Sequence, residues 1–529
     1  MSILVSQISL PPDEPESEAI AAAFRRLGLR PEQAVGNIYR KSVDARRRGR
    51  VMLVYSVLIR VKEQEDAVLR RVVDQKNIRL QKPEQLLPLK RGERFLHSRP
   101  VVVGLGPAGL FAAPSLARNG LPPLVIERGA PIERRCEAVE RFWKTGLLHP
   151  ESTVQFGEGG AGSFSDGKLT TRIGDPRCRF VLETFVAHGA PQRILTEAKP
   201  HVGTDVLRDV VRNMRDELLR LGVEIRFHTR LERLLLRNGR LEGVVTSEGE
   251  FPCEAAVLAL GHSARDTAVS LYSQGIAMEK KPFSVGVRIE HPQREIDRMF
   301  YGELAGHPAL PPAEYQLSYR VGERGCYTFC MCPGGLVVPA ASEEGGVVTN
   351  GMSYGARDGE YANAAVVASV LPQDINGNAM EAVAFQRELE RRAFEAGGGA
   401  YRAPAQSAES FLKGAPAWST TPGTYARGLT LAPLGQLLPD FVRPLLREGL
   451  SHFEKQYPGF SGKGALLTGL ETRTSSPLRI PRNDDLVSFQ ADGLYPAGEG
   501  AGYAGGIMSA AVDGLRVAQA ILEQYAGIA

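Results

Sequence analysis

Two glycine-rich runs in this chain suit close approach of a main chain to a nucleotide. The first is Gly104-Leu105-Gly106-Pro107-Ala108-Gly109. Gly104 permits a tight turn, Gly106 lets the backbone approach a pyrophosphate, and Gly109 lets the following helix pack on a sheet. A helix opening at Pro107 and Ala108 offers free N–H groups and the positive end of its dipole to phosphates. Glu127, followed by Arg128, lies about twenty residues on, where a carboxylate accepts hydrogen bonds from a ribose diol. The second run, Gly157-Glu158-Gly159-Gly160-Ala161-Gly162, fails as a separate dinucleotide fold. Val154-Gln155-Phe156 is too short for its buried first strand, and Ser163–Gly167 has turn chemistry where a helix is needed. Gly159, Gly160 and Gly162, with Ser163, Ser165 and Lys168, still suit a loop that serves the first nucleotide; the bland alternative is a surface loop.

Three further constellations carry chemistry. Tyr495-Pro496-Ala497-Gly498-Glu499 leads through Gly505 and Gly506 to a helix starting at Ile507, a strand–acid–turn–helix arrangement. Cys326, Cys330 and Cys332 form C-x3-C-x-C, which reads as structural thiols first and as a redox or substrate-contacting group second, with Cys332 the candidate. The run lacks the C-x2-C knuckle and a nearby His, so no metal is expected. Arg473 and Arg479 flank Thr474–Pro477; either suits an anionic substrate or cofactor, or else an ion pair between domains. Gly286–His291 alternates as a half-buried strand, so Arg288 and His291 face a substrate or, the favoured reading, serve the sheet.

These residues need elements to hold them. Pro100–Gly104 reads as a buried parallel strand, Pro107–Asn119 as a helix and Pro123–Glu127 as a second strand, which together make a βαβ unit. A helix over Gly203–Arg220, a strand over Val223–Phe227 and a hairpin of Leu231–Leu236 with Leu241–Val245 follow, and Ala255–Gly261 is another buried strand. Residues 275–465 lose this rhythm and read as an inserted cap with helices at Ala379–Glu395 and Phe441–Lys455. The chain returns to α/β pattern with Asp492–Gly498 and a helix over Ile507–Tyr525. Residues 1–95 read as a small α+β module with strands at Ile3–Ile8, Gly36–Lys41 and Val51–Val61 and a helix at Glu16–Leu27. The polar stretch Lys90–Arg94 links it to the rest.

Charge and composition narrow the classes. With 529 residues, two or three domains are expected. The net charge of +4 is uneven: residues 1–95 carry +7 and the remainder −3. The basic excess centres on Arg46-Arg47-Arg48-Gly49-Arg50, which reads as a solvated turn or, alternatively, a polyanion contact. The start lacks a basic segment followed by an apolar one, no apolar run is long enough for a membrane span, and six unpatterned cysteines fit reduced thiols, so a cytoplasmic setting is expected.

At this point the residues resemble a family. The Gly104–Glu127 unit, Leu231–Gly261 hairpin-and-strand and Tyr495–Ile507 run together are similar to the glutathione-reductase-type FAD superfamily. The resemblance implies that Glu499 binds the ribityl chain and that the helix at Gly506 and Ile507 points at the flavin N1–O2 edge. Leu231 and Gly261 would line the same cofactor. Over nearly its full length the chain also resembles uncharacterised bacterial FAD-dependent dehydrogenases, through Lys41–Arg46, Phe156–Leu169, Gly286–Pro292, Cys330–Gly335 and Glu471–Ile480. The cofactor expected is FAD, with NAD(P)H at most a transient electron donor, because no second strand-borne G-x-G-x-x-G exists. Cys136 stands alone after the first helix, so disulfide-reductase chemistry of the Cys-x4-Cys kind is not expected.

The expected fold class is α/β: a Rossmann-like FAD-binding domain (96–274 and 466–529) with an inserted α+β cap (275–465) and an N-terminal α+β, ferredoxin-like module (1–95). The expected function is an FAD-dependent oxidoreductase with a small-molecule substrate. A flavin-dependent enzyme acting on RNA through the basic module, and a non-catalytic FAD-binding sensor or assembly protein, stand as the alternatives. The sequence fixes neither substrate nor oligomeric state.

Overall fold

The computed structural model describes residues 2–47, 50–62, 65–72, 76–82 and 90–529. Arg48 and Gly49 of the basic turn lie outside the described residues.

The N-terminal module runs β1 (Ser2–Leu10), α1 (Glu16–Leu27), β2 (Ala34–Arg47), β3 (Arg50–Val61), α2 (Glu65–Leu69) and β4 (Ile78–Gln81). Its strands form an antiparallel sheet in the order β2-β3-β1-β4. β3 alternates as a one-sided strand must: Leu53, Tyr55, Val57 and Ile59 point into a core shared with Ala19, Ala23 and Leu27 of α1. β2 extends well beyond the expected Gly36–Lys41, because register slips after Ile38 and Asp44 keep it paired along β3. The module is docked on the rest of the chain. Val51 enters the core of the middle unit. The Lys41 N–H donates to the Thr196 carbonyl at 2.7 Å, and the Lys41 carbonyl accepts from the Ala198 N–H at 2.8 Å.

The second unit opens with β5 (Val101–Val103), α3 (Pro107–Arg118) and β6 (Leu124–Ile126) and continues with α4 (Thr204–Arg220), β7 (Glu224–Arg226) and β8 (Ala256–Leu258). The β-branched run of β5 is wholly buried, as a strand covered on both faces requires. Pro107 occupies the first turn of α3, where its missing N–H costs nothing. Gly109 is needed for the helix to sit close, since a Cβ there would lie 2.0 Å from the Gly104 carbonyl oxygen.

The middle unit is one seven-stranded sheet carrying β9 (Phe283–Pro292), β10 (Ser318–Val321), β11 (Arg324–Cys332), β12 (Tyr361–Val370), β13 (Ala403–Ser407), β14 (Leu429–Leu431) and β15 (Leu466–Glu471). Its order is β10-β11-β12-β9-β15-β13-β14. Two helices, α5 (Met380–Ala396) and α6 (Val442–Gln456), pack against it through Ala382, Leu389, Leu446 and Phe453. The unit is longer than the expected 275–465. β15 pairs with both β9 and β13 in the middle of the sheet, so the boundary lies beyond Glu471.

The chain then re-enters the second unit as β16 (Leu494–Pro496) and α7 (Ile507–Gln524), completing a five-stranded parallel sheet in the order β16-β8-β5-β6-β7. Arg94–Leu96 pairs in parallel with Tyr525–Ile528, and the Gly92 N–H donates to the Leu522 carbonyl at 3.0 Å. The expected boundary at 95 therefore cuts a strand, and residues from Gly92 on belong with this unit.

Candidate functional site

Four neighbouring parallel strands, β16, β8, β5 and β6, end at Pro496, Leu258, Val103 and Ile126, and a cleft of 1520 Å³ opens directly beyond those carboxyl ends. Ligands of open parallel sheets bind at this edge. Gly104, Gly106, Pro107 and Ala108 line it after β5, Glu127 and Arg128 after β6, Gly261 and His262 after β8, and Gly498 and Glu499 after β16. Leu231, Gly505, Gly506 and Ile507 line it too. The first turns of α3 and α7, both without a side-chain cap, open on the same space and leave N–H groups for an anionic or electron-rich ligand.

The second glycine run lies against the first. A Cβ on Gly160 would be 3.1 Å from the Gly106 Cα and one on Gly106 would be 3.6 Å from the Gly160 Cα, so two glycines let the turns nearly touch. Gly160, Gly162, Ser165 and Lys168 face the cleft, whereas Gly159 and Ser163 do not. Ser163 is fully buried, and the Gly159 N–H donates to the Leu105 carbonyl at 2.8 Å. Those two residues shape the loop from behind. Arg135 holds it, a role with no local sequence signal. Its buried guanidinium donates to the carbonyls of Thr153 (2.9 Å), Val154 (2.9 Å), Gly157 (3.3 Å), Glu158 (2.6 Å) and Gly160 (2.9 Å). Burial pulls this guanidinium down to about 10, which leaves it cationic at neutral pH.

Glu127 already accepts from the N–H groups of Leu105 (2.8 Å), Gly129 (2.9 Å) and Gly157 (3.2 Å). It ties both glycine runs to the end of β6, with lone pairs left for a diol. Arg128 lies with its guanidinium 4.1 Å from the Phe156 ring centroid and is ion-paired with Glu151 and Asp266. At the other end, burial pushes the Glu499 carboxyl up to about 7, against the pull of Lys281 and the Gly506 N–H. The Gly498 turn is pinned by Asp513, which accepts its N–H at 2.8 Å and pairs with Arg482 at 2.6 Å. Lys281 and Asp513 escaped the sequence reading because both act across the fold from Glu499 and Gly498.

The middle sheet covers the cleft with β10, β11 and the segment before them: Tyr315, Leu317, Tyr327 and Phe329 give apolar surface, and Lys168 faces Glu314 across 3.7 Å. The candidate substrate-facing residues fall on both sides of the alternatives the sequence left open. Arg288 is wholly buried, and its five N–H bonds go to Glu471 (two), Asn363, Asn350 and the Cys330 carbonyl, so none is left for a substrate. His291 is also buried and bonds the Phe460 carbonyl at 2.7 Å. Cys332 is buried and does not line the cleft, whereas the half-buried Cys330 does. Arg473 does line the cleft, yet its guanidinium is held by Glu390 (2.8 and 3.0 Å), Ser263 (3.0 Å) and Ser342. Glu390 sits on α5 and also binds Arg265 of the second unit at 2.7 Å, so this cluster clamps the two units together. His262, another cleft residue, is pulled down to about 4 by burial beside the Arg473 and Arg265 cations. Its Nε2–H donates to the Arg473 carbonyl at 3.2 Å, which leaves Nδ1 as an acceptor. Among the described residues no His, Cys, Asp or Glu group is placed to hold a metal ion, and no helix is long and apolar enough to cross a membrane.

Comparison with known proteins meets this geometry. Residues 282–474, the extent of the middle sheet, match the family described as FAD-dependent protein, C-terminal domain-like, and residues 2–60 match a domain of unknown function, DUF8436. An uncharacterized protein of Clostridium beijerinckii is 46% identical over 533 residues, covering 99% of each chain. Among solved structures, L-proline dehydrogenase from P. horikoshii shares 13% identity over 80% of this chain and 93% of that one, with a TM-score of 0.34. Glycine oxidase from Bacillus cereus shares 12% over 81% and 98%, with 0.32, and CtdE in complex with FAD shares 13% over 80% and 84%, with 0.30. TM-scores of this size do not establish a common fold. The cofactor is FAD, and the chain belongs to one family with the Clostridium beijerinckii protein.

Proposed function

We propose that the chain is an FAD-dependent oxidoreductase acting on a small molecule. In this reading FAD lies along the cleft at the carboxyl ends of a Rossmann-like parallel sheet, its pyrophosphate at Gly104–Gly109 and its adenosine ribose at Glu127. Its ribityl chain lies at Glu499, and its ring system near Gly506 and Ile507. The N-terminal module, with strand order β2-β3-β1-β4, reads as ferredoxin-like. One observation carries the proposal: a single cleft joins two uncapped helix N-termini and is covered by a second sheet. The residues suit the cofactor, since glycines stand where a phosphate needs close backbone approach and acids where hydroxyl groups need acceptors.

Bound there, FAD supplies two-electron redox chemistry, and the chain supplies binding, orientation and exclusion of water. Tyr315, Leu317, Tyr327 and Phe329 wall off solvent on the side where a substrate would enter. The N-terminal dipole of α7 favours negative charge on whatever lies before Gly506. His262, neutral and with Nδ1 free to accept, is placed to hold a proton at the cleft wall. Arg473 and Arg288 act as positioning residues that hold the covering sheet.

The test is anaerobic mixing of the yellow holoprotein with a library of amino acids, other small metabolites, NADH and NADPH, read by flavin absorbance. Rapid bleaching by one chemical class supports the reading and names the substrate. Bleaching by none of them, with dithionite still effective, favours the non-catalytic FAD-binding alternative.

A further inference from the structure

β11 ends in a bulge. Phe329 is opposite Ala365 and Cys332 opposite Asn363, so three steps on β11 face two on β12. The extra residue sits at Cys330, whose φ of 45° is one that side chains other than glycine rarely adopt. The bulge shortens the path between Cys330 and Cys332 and turns the first thiol to the cleft while the second stays directly behind it. The Cys332 thiol folds back onto Cys330 and donates to its carbonyl oxygen, which lies 3.3 Å from the Cys332 Sγ. Lys168 donates to the carbonyl of Met331 between them, and Arg288 donates to that of Cys330 at 3.0 Å, which fixes the bulge from both sides. Among the described residues no other pair of thiols is so arranged: Cys326, also beside the cleft, is itself wholly buried and has no second thiol at a bulge.

We propose that Cys330 and Cys332 are a redox-active dithiol that exchanges electrons with the FAD across the cleft. This rests on the cofactor placement proposed above. In the oxidising direction two S–H bonds break and one S–S bond forms, while two electrons and two protons pass to oxidised FAD and leave it reduced; in the reverse direction reduced FAD opens the disulfide. The chemistry of the pair supports the division of labour. Hydrogen bonding from Cys332, with the Arg288 and Lys168 cations nearby, makes Cys330 the more acidic thiol, and the same contact with burial makes Cys332 the less acidic one. Cys330 is then the attacking and flavin-facing sulfur, and Cys332 the resolving one. Cys330 and Glu499 line the same cleft, so the thiol shares the space through which the proposed cofactor path runs.

The experiment is an anaerobic dithionite titration of fully oxidised holoprotein, paralleled by thiol alkylation under denaturing conditions and peptide mass spectrometry. The wild type should take up twice the electrons its flavin accounts for, and its oxidised Cys330–Cys332 peptide should resist alkylation and weigh less by two hydrogens. Cys330→Ser and Cys332→Ser should keep their FAD but take up the flavin's share alone. If the wild type takes up only the flavin's share and both thiols alkylate fully in the oxidised protein, the dithiol proposal is overturned. That readout needs no variant, so it holds even if Cys332→Ser folds poorly. A preparation with no flavin spectrum would instead sink the cofactor placement on which the dithiol rests.

Discussion

Arg135→Met removes the one side chain that satisfies five main-chain carbonyls in the loop beside the first glycine turn. Methionine fills the space without supplying a donor. Each carbonyl left buried and unpaired costs about 1–3 kcal/mol. The loop can relax part of this by admitting water, so the sum is well below five full penalties. Glu158 loses one neighbouring cation but keeps its ion pair with Arg215 at 2.8 Å. A loss of about 3–5 kcal/mol is expected, the size seen when buried charged contacts are broken. At about 2–4 °C per kcal/mol the midpoint should fall by roughly 6–20 °C. Because Gly157 and Gly160, two of the residues that lose a partner, line the proposed cofactor cleft, flavin release, followed by fluorescence, should precede loss of far-UV circular dichroism in the variant. In the wild type the two should coincide. A variant melting within about 1 °C of wild type, with release and unfolding still coincident, would refute the account of Arg135 as the loop's anchor.

Glu390→Ala should cost about 3–5 kcal/mol, since it strands the buried Arg473 and Arg265 cations; Arg473→Ala should cost less, because Arg265 still pairs with Glu390, and their double-mutant cycle should show strong coupling by urea denaturation, whereas independent effects would mean Arg473 is not a clamp. Glu290, buried and bonded to Thr424, is pushed up to about 7 by burial. Its raised value means that its contribution to stability is full below about 4.5, the usual range, and is lost as pH rises through about 7. Glu290→Gln should therefore flatten the fall in midpoint between those pH values, and an unchanged slope would contradict the assignment. Glu499→Ala removes a half-buried acceptor that lines the cleft and should weaken FAD binding about tenfold or more, from a loss of about 1.5–3 kcal/mol; equilibrium dialysis showing unchanged affinity would strike Glu499 from the site.

The elements that line the proposed cofactor cleft were legible because their signals are local. Val101–Val103, Gly104–Gly109 and Pro107–Arg118 announce a buried strand, a tight turn and a helix start within one short run, and the Asn238-Gly239 hairpin does the same. The failures share a cause in long-range pairing. Leu466–Glu471 is apolar enough for either unit, and only its partners on β9, nearly two hundred residues earlier, put it in the middle sheet. Cys330 and Cys332 cannot be ranked from their spacing, because strict alternation would send both to one face and the bulge alone separates them. For Arg288 the sequence favoured a role in the sheet, and for Arg473 it left an interdomain ion pair level with a substrate contact, but the partners that decide both, Glu471 and Glu390, are distant in the chain. Arg135 carried no signal of its own, because its partners, the carbonyls of the second glycine run and the residues just before it, are main-chain atoms that no side-chain pattern pairs with it.

The central claim is that FAD is seated between the Gly104–Gly109 turn and Glu499. It is tested most directly by heating purified wild type and Gly106→Val and identifying the released nucleotide by chromatography. A Cβ at Gly106 meets nothing closer than the Gly160 Cα at 3.6 Å, so valine is accommodated by the fold while its methyl groups enter the gap where the pyrophosphate would lie. The account predicts FAD in equal ratio to the wild-type chain and a folded, colourless Gly106→Val protein. FMN in the wild type, or a full load of FAD in Gly106→Val, would contradict it.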